Sequence, residues 1–390
     1  MFTLTLPKFM SSISTRSFIE NKRMLLPLVL LICLAYSPIR DITLTAMSDA
    51  FFQVSVFVAA TLFIYYYLID RLPQLELAYL NAKSPILEVS FASFLGALPG
   101  CGGAIIVVTQ FTKGQASFGS IVAVLTATMG DAAFLLLATK PTEGLLIMLI
   151  GLSVGVISGS LVNYFHKSDF LKPENQDVEH EYKSQPSKAI ILSKSIWKVI
   201  LIPSLIIAFL IALNVDFAQF GSGLNDTVMF FGAAMALFAV ITWAFSSKGK
   251  SYQDITCEEE SSQPPSKLYK VLQDTHFVTA WVVASFMLFE LLVNFAGVDL
   301  KAWFSHYTYL APLIAVLIGF LPGCGPQIIV TTLYIQGIIP FSALAANAIS
   351  NDGDALFPAI AMAPKAALIA TFYSAIPAVL VGYGLYFYGV

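Results

Sequence analysis

Two aspartates, each following a glycine, are the residues in this sequence best placed to do chemistry. Gly130-Asp131-Ala132 and Gly353-Asp354-Ala355 both lie in otherwise apolar stretches, Val122–Leu137 and Leu344–Met362. In the middle of a membrane helix an aspartate costs about 2.5–3.5 kcal/mol on insertion scales, so such residues face a pathway far more often than lipid. The plain alternative is a protonated aspartate hydrogen-bonded in helix packing. The second copy is the richer in oxygen donors, reading Asn347-x-x-x-Asn351-Asp352-Gly353-Asp354, where the first copy has Val124, Thr128, Met129, Gly130 and Asp131. Asn347 and Asn351 are four apart and share a helix face. Asp354, Asp352, Asp131, Asn351, Asn347 and Gln327 form the expected metal-binding set, and Thr109 and Thr332 are further substrate-contacting candidates. Carboxylate, amide and carbonyl oxygens suit hard divalent cations such as Mn²⁺.

The four cysteines, Cys33, Cys101, Cys257 and Cys324, form no CxxC pair and are too scattered for a disulfide framework. Cys101 and Cys324 are candidate contacts to substrate. As thiolates they select softer metals, and as small residues they merely fit a tight turn. The histidines, His166, His180, His276 and His306, fall in expected loops or at span edges, which argues against a His-based zinc or copper site. Glu88 and Glu290 are candidate proton relays, Glu88 being nearer a membrane edge. No G-x-x-x-x-G-K-[ST] segment occurs, so no ATP-driven mechanism is indicated and no resident cofactor is expected.

These residues belong to an internal repeat. Leu98-Pro99-Gly100-Cys101-Gly102 returns as Leu321-Pro322-Gly323-Cys324-Gly325, and both this motif and the aspartate motif recur at an offset of 223 residues. Residues 98–142 and 321–365 are identical at 18 of 45 positions. Proline removes a donor and glycine admits conformations closed to other residues, so Pro-Gly-Cys-Gly breaks a helix. The freed backbone groups cannot face lipid, so the break lines a cavity or packs inside protein. Its carbonyl end suits cations and its amide end anions, so the motif alone leaves the sign of the substrate open.

The elements that position these motifs are membrane helices. The chain has 390 residues, 57% of them hydrophobic and 12% charged, with a mean hydropathy of +0.78. Soluble domains carry about 25% charged residues, so the bilayer is the solvent for most of this chain. A net charge of −3 gives no reason to expect a nucleic-acid partner. Apolar runs lie near 24–38, 47–69, 118–139, 143–165, 197–214, 226–245, 277–297, 342–363 and 366–388, with the Leu-Pro-Gly-Cys-Gly motifs inside 84–111 and 308–336. The run at 24–38 resembles a signal-peptide core, and the favoured expectation is an uncleaved first span.

Charge counting orients them. With a cytoplasmic N-terminus and both motif runs re-entrant, 18 of the 21 Lys and Arg fall inside, leaving only Arg40, Lys140 and Lys301 outside. If both runs span, the split is 9 inside and 12 outside. Five spans separate the two hairpins, so the repeats are expected to be inverted, as suits alternating access. The expected organisation is a cytoplasmic N-terminus (1–23), a first membrane repeat (24–165), a cytoplasmic linker (166–196), membrane helices (197–245), a second cytoplasmic linker (246–276) and a second membrane repeat (277–390). The fold class is an all-α polytopic membrane protein of two inverted repeats, each with a re-entrant or broken helix. The linkers carry Glu174, Asp177, Glu179, His180, Glu181 and Glu258-Glu259-Glu260, which read as solvated mixed charge.

The strings Leu321-Pro322-Gly323-Cys324-Gly325-Pro326-Gln327 and Asn351-Asp352-Gly353-Asp354-Ala355-Leu356-Phe357-Pro358 resemble the ten-transmembrane heavy-metal exporter family, which includes bacterial manganese exporters. The resemblance covers most of the chain outside the linkers. The first-half copy departs from it, with Gly103 for Pro326, Ala104 for Gln327 and Met129 for Asp352. It implies export of Mn²⁺ from the cytoplasm across the bacterial inner membrane. The expected partners are a divalent metal ion and the lipid bilayer, and self-association is left open. The rival readings are a sodium- or proton-coupled carrier of a small organic anion and an intramembrane thiol enzyme. The near absence of Lys and Arg from the membrane segments weighs against the anion.

Overall fold

In hydrocarbon, backbone N–H and C=O groups must be satisfied within the chain, and long apolar runs therefore become helices. The computed structural model describes residues 22–166, 170–172, 188–213, 215, 217–221, 223–246, 267–296, 304, 308–321 and 323–389, and among these the regular structure is entirely helical. The acidic linker residues 174–181 and 258–260, Cys257, Lys301, His306 and Pro322 lie outside the described residues.

Among the described residues the first α-helix is α1 (Leu25–Ala35), followed by α2 (Ser37–Asp49), a π-helical segment (Ala50–Ser55) and α3 (Val56–Arg71). This corrects two expectations. The run at 24–38 is not one span: α1 has 11 residues, about 17 Å of helix against about 30 Å of hydrocarbon. It stops at Tyr36, which is extended, two residues before Pro38, because proline clashes with the carbonyl four residues back. The span expected at 47–69 instead begins at Ser37 and runs to Arg71 as a 35-residue helical rod.

After α4 (Leu77–Lys83) comes the first hairpin, α5 (Pro85–Ala97) and α6 (Gly102–Thr112). A Cβ on Gly103 would lie 2.0 Å from the Leu95 carbonyl oxygen, whereas eight residues of continuous helix would separate the two by about 12 Å. The chain therefore folds back at the motif. The aspartate element is likewise broken, into α7 (Phe118–Ala127) and α8 (Ala132–Thr139), and is followed by the unbroken α9 (Pro141–Phe165). Gly155 and Gly159 of α9 let the backbones touch: Cβ atoms there would lie 2.7 Å from Ala123 O and 2.4 Å from Gly119 O, the close small-residue packing of membrane helices.

Three long helices follow, α10 (Lys188–Ala212), α11 (Leu224–Ser246) and α12 (Lys267–Ala296). The helices α10 and α12 begin at Lys188 and Lys267, earlier than the apolar runs at 197 and 277. As a result His276, expected at a span edge, sits buried inside α12, where its Nε2 accepts a 3.0 Å hydrogen bond from the Trp197 indole N–H. The aromatic contact between Phe51 and Trp197 ties the π-segment to α10, and a 2.7 Å bond between the Thr279 and Ser55 hydroxyls ties it to α12.

The second repeat contains α13 (Ala311–Gly319), α14 (Cys324–Ile335), α15 (Phe341–Ser350), a 3₁₀ turn (Gly353–Ala355), α16 (Leu356–Met362) and α17 (Pro364–Tyr388). Helices α15 and α17 start and end 223 residues after α7 and α9. Seven segments of the described residues are long and apolar enough to cross a membrane, and five of them lie between the two motif breaks.

Candidate metal centre

Each half contributes two interruptions, and the four meet. The Gly100 N–H donates to the Gly130 carbonyl at 3.0 Å, and the Gly323 N–H to the Gly353 carbonyl at 3.3 Å. All four glycines have positive φ, from +51° to +110°, a region open to glycine at little cost. In this way each motif tip is pinned to the break in the aspartate element of its own half. The two halves then face one another: a Cβ on Gly130 would lie 2.6 Å from Cys324 Sγ, and one on Gly353 would lie 3.6 Å from Cys101 Sγ.

Three ligand-bearing side chains converge at this junction. Cys101 Sγ and Cys324 Sγ are 3.1 Å apart, and they lie 3.3 Å and 2.9 Å from Asp354 Oδ2. One ligand atom from each of the three residues fits within a 4.8 Å spread. Each thiol can donate to the carboxylate, and all three residues are buried. The other Asp354 oxygen has no hydrogen-bond partner among the described residues, and the same holds for both oxygens of Asp131, both amide atoms of Gln327 and the Thr128 hydroxyl. Gln327 Oε1 lies 3.6 Å from the Cβ position of Gly130, and Asp131 Oδ1 lies 3.9 Å from that of Gly100, which places both side chains against the same breaks. A buried polar atom left unpaired costs about 1–3 kcal/mol, so this array is poised to receive a positively charged ligand.

The remaining sequence candidates have other partners. Asp352 is buried but turns toward α17, where it accepts hydrogen bonds from Thr371 and, at 3.5 Å, from Ser374. The first half replaces this trio with Met129, Met148 and Gly151, so one polar packing contact has been exchanged whole for an apolar one. Asn347 donates to the Ala315 carbonyl at 2.9 Å and braces α15 on α13, and Asn351 Oδ1 accepts from the Gly353 N–H at 2.9 Å and shapes the break. The Thr332 hydroxyl bonds back to Ile328 O at 2.8 Å, and Thr109 is buried on α6. Glu88 Oε1 accepts from the Ser117 N–H at 2.6 Å, before the start of α7. In the second half Ala311 and Pro340 stand at these positions. Proline has no N–H, so no acceptor is needed there. Glu290 lines a cavity beside the second tip together with Asp49 and Gln53. The sequence reading missed Asp49, Gln53, Thr371 and Ser374. Asp49 carried a usable signal, an acid inside the apolar run at 47–69.

The donor set, two thiols and a carboxylate with a second carboxylate and an amide at its edge, matches the ligands of divalent transition metals. A family model described as "Putative, 10TM heavy-metal exporter" matches residues 38–389. No curated protein and no solved structure matches the chain.

Proposed function

The chain belongs to this family of ten-transmembrane heavy-metal exporters, and from that premise we propose that it is a secondary transporter that carries a divalent metal, Mn²⁺ foremost, out of the bacterial cytoplasm across the inner membrane in exchange for protons. The observation that carries the reading is the convergence of Cys101, Cys324 and Asp354 within 4.8 Å, at the meeting point of four helix interruptions. The carboxylates of Asp354 and Asp131 and the amide of Gln327 are hard donors suited to Mn²⁺, and the thiols extend the range toward Zn²⁺ and Cd²⁺.

Electroneutrality supports the proton coupling. Two carboxylates offset a dication in this buried setting, and once the metal leaves, protons offset the same charge. Five candidate spans lie between the two motif breaks. An odd number supports hairpins that enter from opposite faces, and the lysines of the linkers support a cytoplasmic face for the first hairpin. An inverted pair with its site between the tips supports alternating access.

The deciding experiment measures cellular Mn, Fe, Co, Zn and Cd with and without the protein. Manganese should accumulate in cells lacking it and fall again when the intact chain, but not Asp354→Asn, is restored. Manganese content that is the same in both strains would remove the proposed cargo.

A further inference from the structure

The two motif tips, alike in sequence, have different surroundings. On the first, Gly102 is pressed against α3: a Cβ there would lie 1.9 Å from the Thr61 Oγ1, and the Thr61 hydroxyl is itself bound to Phe57 O at 2.7 Å. That side of the tip is closed by packed atoms. On the second, the equivalent glycine, Gly325, borders an open cavity of about 210 Å³. Its polar lining comes from two other elements, Asp49 and Gln53 at the junction of α2 with the π-segment, and Ser285 and Glu290 of α12. Asp49 and Gln53 share the lining of this one cavity with Glu290, which is far from them in sequence. Among the described lining residues the ionisable side chains are the carboxylates of Asp49 and Glu290.

The cavity adjoins the metal centre through a residue without a side chain. Gly323 lines it, and a Cβ on Gly323 would lie 3.6 Å from Asp354 Oδ1, a buried oxygen that accepts no hydrogen bond among the described residues. From this geometry we infer that the Asp49–Gln53–Glu290 cavity is a second station for the transported divalent cation, occupied as the ion leaves the central thiol–carboxylate site. The inference rests on the export reading above. It adds where the ion goes next: along the second tip, on the side of the membrane opposite the lysine-bearing linkers, while the first tip is shut by Thr61. Two carboxylates and an amide are the hard donors a cation needs once it has left the thiols. Gln53 lies within the π-segment Ala50–Ser55, an irregularity of the kind that is frequent at functional sites.

The test uses the purified full-length protein and Mn²⁺ itself, counting bound ions by the loss of the free Mn²⁺ resonance. The intact chain should bind two ions. Asp354→Asn should keep one of them, and Asp49→Asn/Glu290→Gln should keep the other, with the Mn²⁺ concentration for half-maximal transport raised about tenfold, the order of effect that loss of a supporting metal contact has. A second measurement does not depend on the double variant folding. In Ser285→Cys, Mn²⁺ should slow modification by a membrane-impermeant thiol reagent added opposite the linkers at least threefold, and should still do so when Asp354→Asn is added. Unprotected Ser285→Cys, or a well-folded double variant with unchanged binding and transport, overturns the second station and leaves the export reading standing if Asp354→Asn abolishes transport. Failure of the intact chain to bind Mn²⁺, Co²⁺ or Zn²⁺ overturns the export reading and the second station with it.

Discussion

Cys101 and Cys324 are 223 residues apart in the chain, and their sulfur atoms are 3.1 Å apart in the fold. Cys101 immediately precedes the second helix of its hairpin and Cys324 is the first residue of the second helix of its own, and Asp354 Oδ2 lies within 3.3 Å of both. A thiol from each half thus shares one carboxylate from the second, which makes the centre a joint product of the repeats.

The first prediction concerns selectivity. Replacing both thiols by hydroxyls (Cys101→Ser with Cys324→Ser) substitutes hard donors for soft ones at nearly constant shape. Export of Zn²⁺ and Cd²⁺ should fall by roughly tenfold or more relative to Mn²⁺, as judged by metal uptake into inverted vesicles. An equal loss for all metals would show that the thiols do not set selectivity.

A second prediction separates neighbouring aspartates. Asp354→Asn should abolish Mn²⁺ transport and leave the thermal midpoint nearly unchanged. Asp352→Asn should retain Mn²⁺ binding but weaken the contact with Thr371 and Ser374, at a cost of about 1–3 kcal/mol of stability. Mn²⁺ titration beside a thermal melt of the two variants distinguishes them, and loss of Mn²⁺ binding in a stable Asp352→Asn would return that residue to the ligand set.

The glycines at the breaks give a third. Both Gly130 and Gly353 have positive φ, so alanine at either position incurs backbone strain of order 1 kcal/mol. At Gly130 the added methyl also meets Cys324 Sγ at 2.6 Å, while at Gly353 its nearest contact is an ordinary 3.6 Å. Gly130→Ala should therefore lose export far more severely than Gly353→Ala at matched expression, and equal activities would contradict the described contact.

Proton exchange fixes the sign of a fourth. In inverted vesicles the former cytoplasmic face is outside, so Mn²⁺ export appears as uptake and protons move outward. An acidic lumen should accelerate Mn²⁺ uptake, and an ionophore that collapses the pH difference should slow it. Indifference to the ionophore at zero membrane potential would exclude proton antiport.

Glu88 supplies the fifth. Its carboxylate accepts the Ser117 N–H at 2.6 Å, a charge-assisted bond beside a helix N-terminus. Glu88→Gln should lower stability by about 1–3 kcal/mol while the proton dependence of transport is kept. A changed proton-to-metal ratio would instead restore the relay role.

The helix breaks, the repeat and most membrane segments were legible because they rest on local chemistry: apolar length, proline without a donor and glycine at a turn. The failures came where neighbours outweighed local pattern. His276 looks like an edge residue until Trp197 supplies a partner within the helix bundle. The run at 24–38 looks like a span until Tyr36 and Pro38 divide it. Asp49 is an acid inside an apolar run, and only its position on the cavity shared with Glu290 and the second tip gives it significance.

By itself the sequence determined that this chain lives in a bilayer, that it is built from two related halves, and that each half carries a broken helix and an aspartate. Those properties follow from hydropathy and backbone chemistry, which act over a few residues. Only the tertiary structure decided which donors meet. Asp352 and Asp354 are two residues apart, yet Gly353 at φ +57° turns the chain between them. One carboxylate goes to the hydroxyls of α17 and the other to the thiols, one of which comes from the opposite half. Spacing along a chain cannot fix such a choice, because it depends on where a distant backbone comes to rest.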